Sequence, residues 1–131
     1  MTGAMNVPKT LADQGAAAKN PPTIIMLRGY VPPETYSSGV GTKNAAAVFA
    51  KNGYLTLAPD FFGYGESDPE PADSWEARFI KPINVVELIK SVENTGVPLS
   101  ISSSSSNLKS NNLGIWAHSN GGQIALTTLE I

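Results

Sequence analysis

Cysteine is missing from this chain altogether, and histidine occurs once, as His118. The first absence excludes disulfides, thiolate metal sites and cysteine nucleophiles together. The second leaves no zinc-ligand set, so no metal and no cofactor is expected. Charge is also sparse, at 15% of residues, with 9 basic against 11 acidic side chains and a net charge of -2. No basic stripe is available to follow a phosphate backbone, which argues against a nucleic-acid partner. Long apolar runs are lacking too: stretches such as Thr23-Ile24-Ile25-Met26-Leu27 fall far short of the roughly 20 residues that cross a bilayer. The first 20 residues contain alanines but no basic segment followed by an apolar one, so neither a secretory signal nor membrane association is expected. The expected location is cytoplasmic.

The 131 residues and 41% hydrophobic content suit one globular domain with a modest core. Residues 1–22 are polar, rich in small side chains and broken by Pro8, Pro21 and Pro22. They read as a mobile lead-in holding at most the remnant of a strand near residues 6–8. Residues 23–27 form a continuous apolar run, the pattern of a strand covered on both faces. A long Gly- and Pro-marked loop over residues 28–41 follows, and loops of that length in compact domains often bind ligands. Thr42 is placed to cap a helix ending at Asn52-Gly53, and Tyr54-Leu55-Thr56-Leu57-Ala58 predicts a second buried strand.

Asp73 and Glu76 have capping-box spacing at the head of a further helix. Pro82 is expected to break or restart it. Beyond that point Ile83, Val86, Ile89 and Val92 predict an apolar face. Residues 99–112, with serine at every position from 102 to 106, read as a flexible low-complexity loop without chemistry of its own. A third strand is predicted over residues 113–117 and a helix from about Asn120. The order of strands and helices, with crossovers long enough for parallel pairing, predicts a three-stranded piece of an α/β sheet.

The last of these junctions carries the chemistry. Leu113-Gly114-Ile115-Trp116-Ala117-His118-Ser119-Asn120-Gly121-Gly122-Gln123-Ile124-Ala125-Leu126 takes an apolar strand through a small-x-Ser-x-Gly turn into an apolar helix. A sharp turn of that kind holds a serine hydroxyl out for nucleophilic attack. It needs small neighbours because strand and helix crowd together, and Ala117 and Gly121 occupy those places. The free N–H groups of the helix start suit an oxyanion. The plainer alternative is a serine capping a buried helix whose glycines permit close packing. His118 is an unpromising base for Ser119, because successive strand residues face opposite ways; otherwise it is a strand-end side chain packed beside the turn.

Three blocks together resemble α/β hydrolases of the prolyl-oligopeptidase and dienelactone-hydrolase kind, from about residue 21 to the C-terminus. Ile24-Ile25-Met26-Leu27-Arg28-Gly29-Tyr30 is similar to that family's strand and oxyanion loop. Leu57-Ala58-Pro59-Asp60-Phe61-Phe62-Gly63-Tyr64-Gly65-Glu66-Ser67-Asp68 is similar to its Pro-Asp-x-x-Gly-x-Gly-x-Ser turn. Ser119-Asn120-Gly121-Gly122 resembles the Ser-Asn-Gly-Gly of prolyl oligopeptidases. The resemblance implies a partial α/β-hydrolase fold with three parallel strands and flanking helices, truncated after the elbow helix. It implies Ser119 as nucleophile and the backbone N–H of Asn120 as one oxyanion donor. Tyr30 would supply a second, through its N–H or hydroxyl; the alternative is a ring packed under the Pro32-Pro33 turn.

Asp60 precedes the serine, whereas the family's triad acid follows it, so Asp60 is expected to hold the Gly63-Tyr64-Gly65 turn through backbone bonds. Arg28 stands where the family has histidine, and is expected either to pair with a carboxylate or to face solvent. Glu66, Asp68, Glu70 and Asp73 read as solvated. The resemblance also implies that the later strands, the triad acid and the triad histidine are missing. The expected function is therefore that of the N-terminal part of a serine hydrolase, acting on a small ester or peptide through an acyl-enzyme once its C-terminal half is supplied. The alternative is a non-catalytic remnant of such an enzyme, inactive alone. A phosphate-binding module around Gly121-Gly122 lacks any accompanying lysine or ribose-binding acid.

Overall fold

A computed structural model describes residues 1–14, 20–101, 104–108, 110 and 112–131. It is an α/β fold built on a four-stranded mixed sheet. In chain order the main elements are β1 (Gly3–Asn6), α1 (Lys9–Gln14), β2 (Thr23–Leu27), α2 (Lys43–Lys51), β3 (Leu55–Pro59), α3 (Ser74–Asn94), β4 (Val97–Ile101), β5 (Ser104–Leu108), β6 (Leu113–Ala117) and α4 (Asn120–Glu130). The sheet order is β1-β3-β2-β6. β2 runs parallel to β3, with Ile25 opposite Leu57, and parallel to β6, with Leu27 opposite Ala117.

β2 is buried at all five positions, as its unbroken apolar run predicts. Its alternate side chains feed two different cores because strand residues alternate faces. Ile25 and Leu27 join Phe61, Tyr64, Val85, Ile124 and Ala125 on the side of α3 and α4. Ile24 and Met26 join Ala46 and Ala58 on the side of α2. Each such aliphatic side chain contributes about 1.5–3 kcal/mol on burial, so this central strand is the firmest part of the sheet.

Within the stretch read as a lead-in, residues 15–19 lie outside the described residues, and the described part contains β1 and α1. β1 pairs antiparallel with β3, Gly3 opposite Pro59 and Asn6 opposite Thr56, making the sheet mixed with three of its four strands parallel. The Asp60 N–H donates to the Thr2 carbonyl at 2.9 Å, extending that ladder. A four-residue strand of small and polar side chains leaves no periodic signal, yet its backbone groups pair as well as any others.

The Ser-rich tract also departs from expectation. β4 and β5 form an antiparallel hairpin, Val97 opposite Leu108 and Ile101 opposite Ser104, in a separate two-stranded sheet. Ladder pairing needs backbone groups rather than apolar side chains, which is why composition alone misread it. Residues 102–103, 109 and 111 of the predicted loop lie outside the described residues.

α3 runs through Pro82 without stopping. The ring costs the Arg78 carbonyl its usual helical donor, but Pro82 is buried. Pro82, Val85, Ile89 and Val92 recur at spacings of 3, 4 and 3, and this row packs inward. Ile83, placed on the apolar face by the sequence reading, is 45% exposed. At the head of α3 the Asp73 side chain accepts from the N–H of Trp75 and Glu76, the acceptor half of a capping box. Thr42 does occupy the N-cap of α2, but its hydroxyl donates backward to the Gly39 carbonyl and makes no side-chain cap bond.

Candidate active site

β6 ends at Ala117 and α4 begins at Asn120, leaving His118 and Ser119 to make the whole turn. Ser119 has φ 53° and ψ -123°. Among the described residues it is the only non-glycine with positive φ. This pair of angles lies outside the small left-handed region open to side-chain-bearing residues. Such backbone conformations cost about 1–3 kcal/mol and persist only where the surroundings impose them.

The surroundings do so through the end of β2. The His118 N–H donates to the Leu27 carbonyl at 3.1 Å, carrying the β2–β6 ladder into the turn. The Gly121 N–H then bonds the His118 carbonyl at 2.9 Å, and the Gly122 N–H bonds the Ser119 carbonyl at 2.8 Å. Gly121 packs on bare backbone: a Cβ there would lie 2.2 Å from the Leu27 oxygen and 2.7 Å from the Arg28 oxygen. Gly29 meets the turn from the other side, where a Cβ would sit 3.2 Å from the Ser119 Cβ and 3.3 Å from His118 Nδ1. The N–H of Asn120 takes no part in these locking bonds and belongs to the first turn of α4, where donors have no intrahelical acceptor.

The loop after β2 supplies the opposite wall. Arg28 is 5% exposed, which excludes the solvent-facing reading, and no ion pair among the described residues engages it. Its guanidinium instead lies among aromatic rings, with Cζ 4.1 Å from the Tyr64 centroid, 4.6 Å from Tyr36 and 5.9 Å from Phe61. Desolvated cation–π contacts of this kind contribute about 2 kcal/mol in favourable cases. Nη1 donates to the Gly29 carbonyl at 2.9 Å. Nε and Nη2 are buried without a partner.

Asp60, 1% exposed, braces the same loop. Its carboxylate accepts from the Tyr36 hydroxyl, from Ser38 Oγ at 2.6 Å and from Thr2 Oγ1 at 2.8 Å. Its side chain thus gathers three hydroxyls from two segments, the N-terminus and the loop after β2. Its backbone also closes the following glycine turn, the Asp60 carbonyl accepting from the Ser67 hydroxyl, while the Gly63 N–H donates to the Asp68 carbonyl. Burial first, and then the Asp60 hydrogen bond, push the Tyr36 hydroxyl up to about 12.

Ser119 and Asn120 are exposed at the mouth of this construction, and Tyr30 is 69% exposed rather than packed beneath the Pro32-Pro33 turn. Tyr30, Arg28, Tyr64, Lys81, Asn120 and Ile124 contribute to the walls of a cavity of about 200 Å³. A larger groove of about 450 Å³ runs on between α3 and α4, past Phe79, Pro82, Gln123 and Thr127, and shares Asn120 and Ile124 with it. Glu70 is exposed on the rim, as a solvated carboxylate should be, and bonds Lys81 there at 2.6 Å.

Of the three candidate residues, Tyr30 and Asn120 line the same cavity, while Ser119, which precedes Asn120 directly, is exposed and is not among its lining residues. His118 is exposed, and its ring stacks on Trp116 with 6.4 Å between centroids. No hydrogen bond joins it to Ser119. The sequence reading missed the ring of aromatics around Arg28 and the Asp60 hub, because both unite residues from distant segments with no spacing in common. The unusual arginine before Gly29 was the one available hint. No cluster of metal-ligating side chains occurs among the described residues, and no helix among them is long and apolar enough to cross a membrane. Compared with known families and curated proteins, the chain matches no family model and no curated protein.

Proposed function

We propose that this chain carries the nucleophile of a serine hydrolase of the α/β-hydrolase kind, acting on esters or peptides through an acyl-enzyme on Ser119. The observation that carries the reading is the backbone of Ser119, a side-chain-bearing residue held at φ 53° on a strand-to-helix turn. Strain of this sort, at an exposed residue between a strand and an apolar helix, is what a nucleophile elbow requires. In the proposed reaction the Ser119 Oγ attacks the carbonyl carbon and loses its proton to a base. The resulting oxyanion accepts from the Asn120 N–H and from the Gly29–Tyr30 segment. Collapse of the tetrahedral species expels the alcohol or amine, which takes up the proton, and water then hydrolyses the acyl-serine. The cytoplasmic assignment belongs to the same reading.

The base is not among the groups assembled at Ser119. The stacking of His118 on Trp116, with no bond to the serine, favours a second reading in which the chain alone is inactive. A fluorophosphonate probe with mass detection tests whether Ser119 is a nucleophile at all, and ester turnover tests whether the chain alone is active. A covalent adduct on Ser119, abolished in Ser119→Ala, supports the nucleophile. No adduct after prolonged exposure, or one that survives Ser119→Ala, removes it and leaves the inactive remnant.

A further inference from the structure

We infer that the cavity behind Asn120 is a binding site for a small carboxylate with an apolar body, held by the free edge of Arg28. Nε and Nη2, the two unpartnered nitrogens, are neighbours on one side of the guanidinium. Their N–H bonds run parallel and match the two oxygens of a carboxylate, the bidentate arrangement in which arginine binds most strongly. The third nitrogen is already committed to the Gly29 carbonyl. A buried charged group with two unsatisfied donors is costly unless a partner completes it. No hydrogen bond joins Asp60 to Arg28: its oxygens accept from Thr2, Tyr36 and Ser38, and the guanidinium beside Tyr36 opposes the upward push on that hydroxyl.

The cavity walls supply the rest of the specificity. Phe61, Tyr64 and Ile124 offer apolar and aromatic surface, and the volume of about 200 Å³ suits a molecule of roughly ten heavy atoms. Its charged residues are Arg28, Lys81 and Glu70, two cations against one anion, with Lys81 and Glu70 bonded to each other. The N-terminal end of α4 at Asn120 adds a positive dipole end. Both nitrogens are closed to solvent in this structure, so a ligand reaches them only by displacing part of the wall, where Tyr30 is 69% exposed. As a statement about substrate, a carboxylate-bearing ester or amide, the inference rests on Ser119 being the nucleophile. As a statement about binding it does not.

The test titrates the full chain with sodium benzoate, using neutral benzamide as the control of equal shape. Saturable benzoate binding is expected, with benzamide and Arg28→Lys each weakening it by about tenfold or more. Lysine keeps the charge but not the fork. In the wild-type protein, which does not depend on the variant folding, the Arg28 Nε–H resonance is expected to shift on benzoate addition. Ser119→Ala should bind benzoate unchanged, and benzoate should slow any fluorophosphonate labelling of Ser119. Equal binding of benzoate and benzamide, no saturation, or an unmoved Nε–H resonance overturns the site. Benzoate binding without fluorophosphonate labelling sustains the site while removing the nucleophile reading.

Discussion

If the turn at Ser119 stores strain, glycine should fit it better than alanine does. Ser119→Ala removes only the hydroxyl, which makes no cap bond, and keeps the Cβ that makes φ 53° unfavourable. Ser119→Gly removes the Cβ as well. The relief is about 1–3 kcal/mol. Against it stands the extra freedom that glycine brings to the unfolded chain, about 0.5–1 kcal/mol. The balance leaves the glycine variant more stable than the alanine variant by about 1 kcal/mol, or about 4 °C in Tm for a domain of this size. Urea denaturation of both variants measures it, with equal m-values showing that the unfolded states are comparable. A glycine variant equal to or less stable than the alanine variant would refute the claim that the elbow is strained. Because neither variant has a hydroxyl, the comparison isolates backbone energy from chemistry.

Other consequences concern the parts that impose the turn. Gly121→Ala drives a Cβ into two backbone carbonyls and should cost about 3 kcal/mol, whereas Gly122→Ala, with open space around it, should gain about 0.5 kcal/mol from helix propensity; similar Tm values for the pair would contradict the packing. Tyr36 titrates near 12 in the folded chain against 10 unfolded, so the folded state holds the extra proton between those values. Its contribution to stability is therefore full below pH 10 and lost as pH rises to 12. Asp60→Asn, by removing the carboxylate, should lower the phenolate transition of Tyr36, read as ultraviolet absorbance, while an unmoved transition would deny the coupling.

What could be read from the sequence follows where side-chain pattern and backbone geometry coincide. Thr23–Leu27 is apolar at nearly every position because both faces of the strand are covered, whereas Leu113–Ala117, an edge strand that is only half-buried, was legible from its apolar run ending at the Ser119 turn. The turn at Ser119 announces itself because Gly121 must lie on the Leu27 carbonyl, a demand only glycine meets. β1 was nearly invisible because its pairing with β3 rests on backbone groups of Gly3, Ala4, Met5 and Asn6. The phase of α3 is hard to read because proline ordinarily breaks or restarts a helix, whereas Pro82 lies inside this one and begins its buried row. Arg28 was the hardest case. Its fate depends on Tyr36, Phe61 and Tyr64, which the fold brings together from two loops, and no local spacing encodes that meeting.

On the proposed reading, the exposed turn at Ser119 and the base that its attack needs make different demands on rate, and this decides what a labelling experiment can mean. Exposure of Ser119, the donor at Asn120 and the positive end of α4 are all supplied by the turn itself, independently of any proton acceptor. Hydrolases stripped of triad members retain about 10³–10⁴-fold catalysis over water from such features. A strongly electrophilic fluorophosphonate can report a serine held this way even when its proton leaves to solvent. Turnover of an ester is more demanding, since the acyl-serine must also be attacked by an activated water. With His118 stacked on Trp116 rather than bonded to Ser119, the expected result for the chain alone is slow labelling with negligible turnover. His118→Ala should then leave the labelling rate within about twofold of wild type. A loss of a hundredfold or more, in the range of general-base contributions, would instead make His118 the base and overturn the separation of the two side chains.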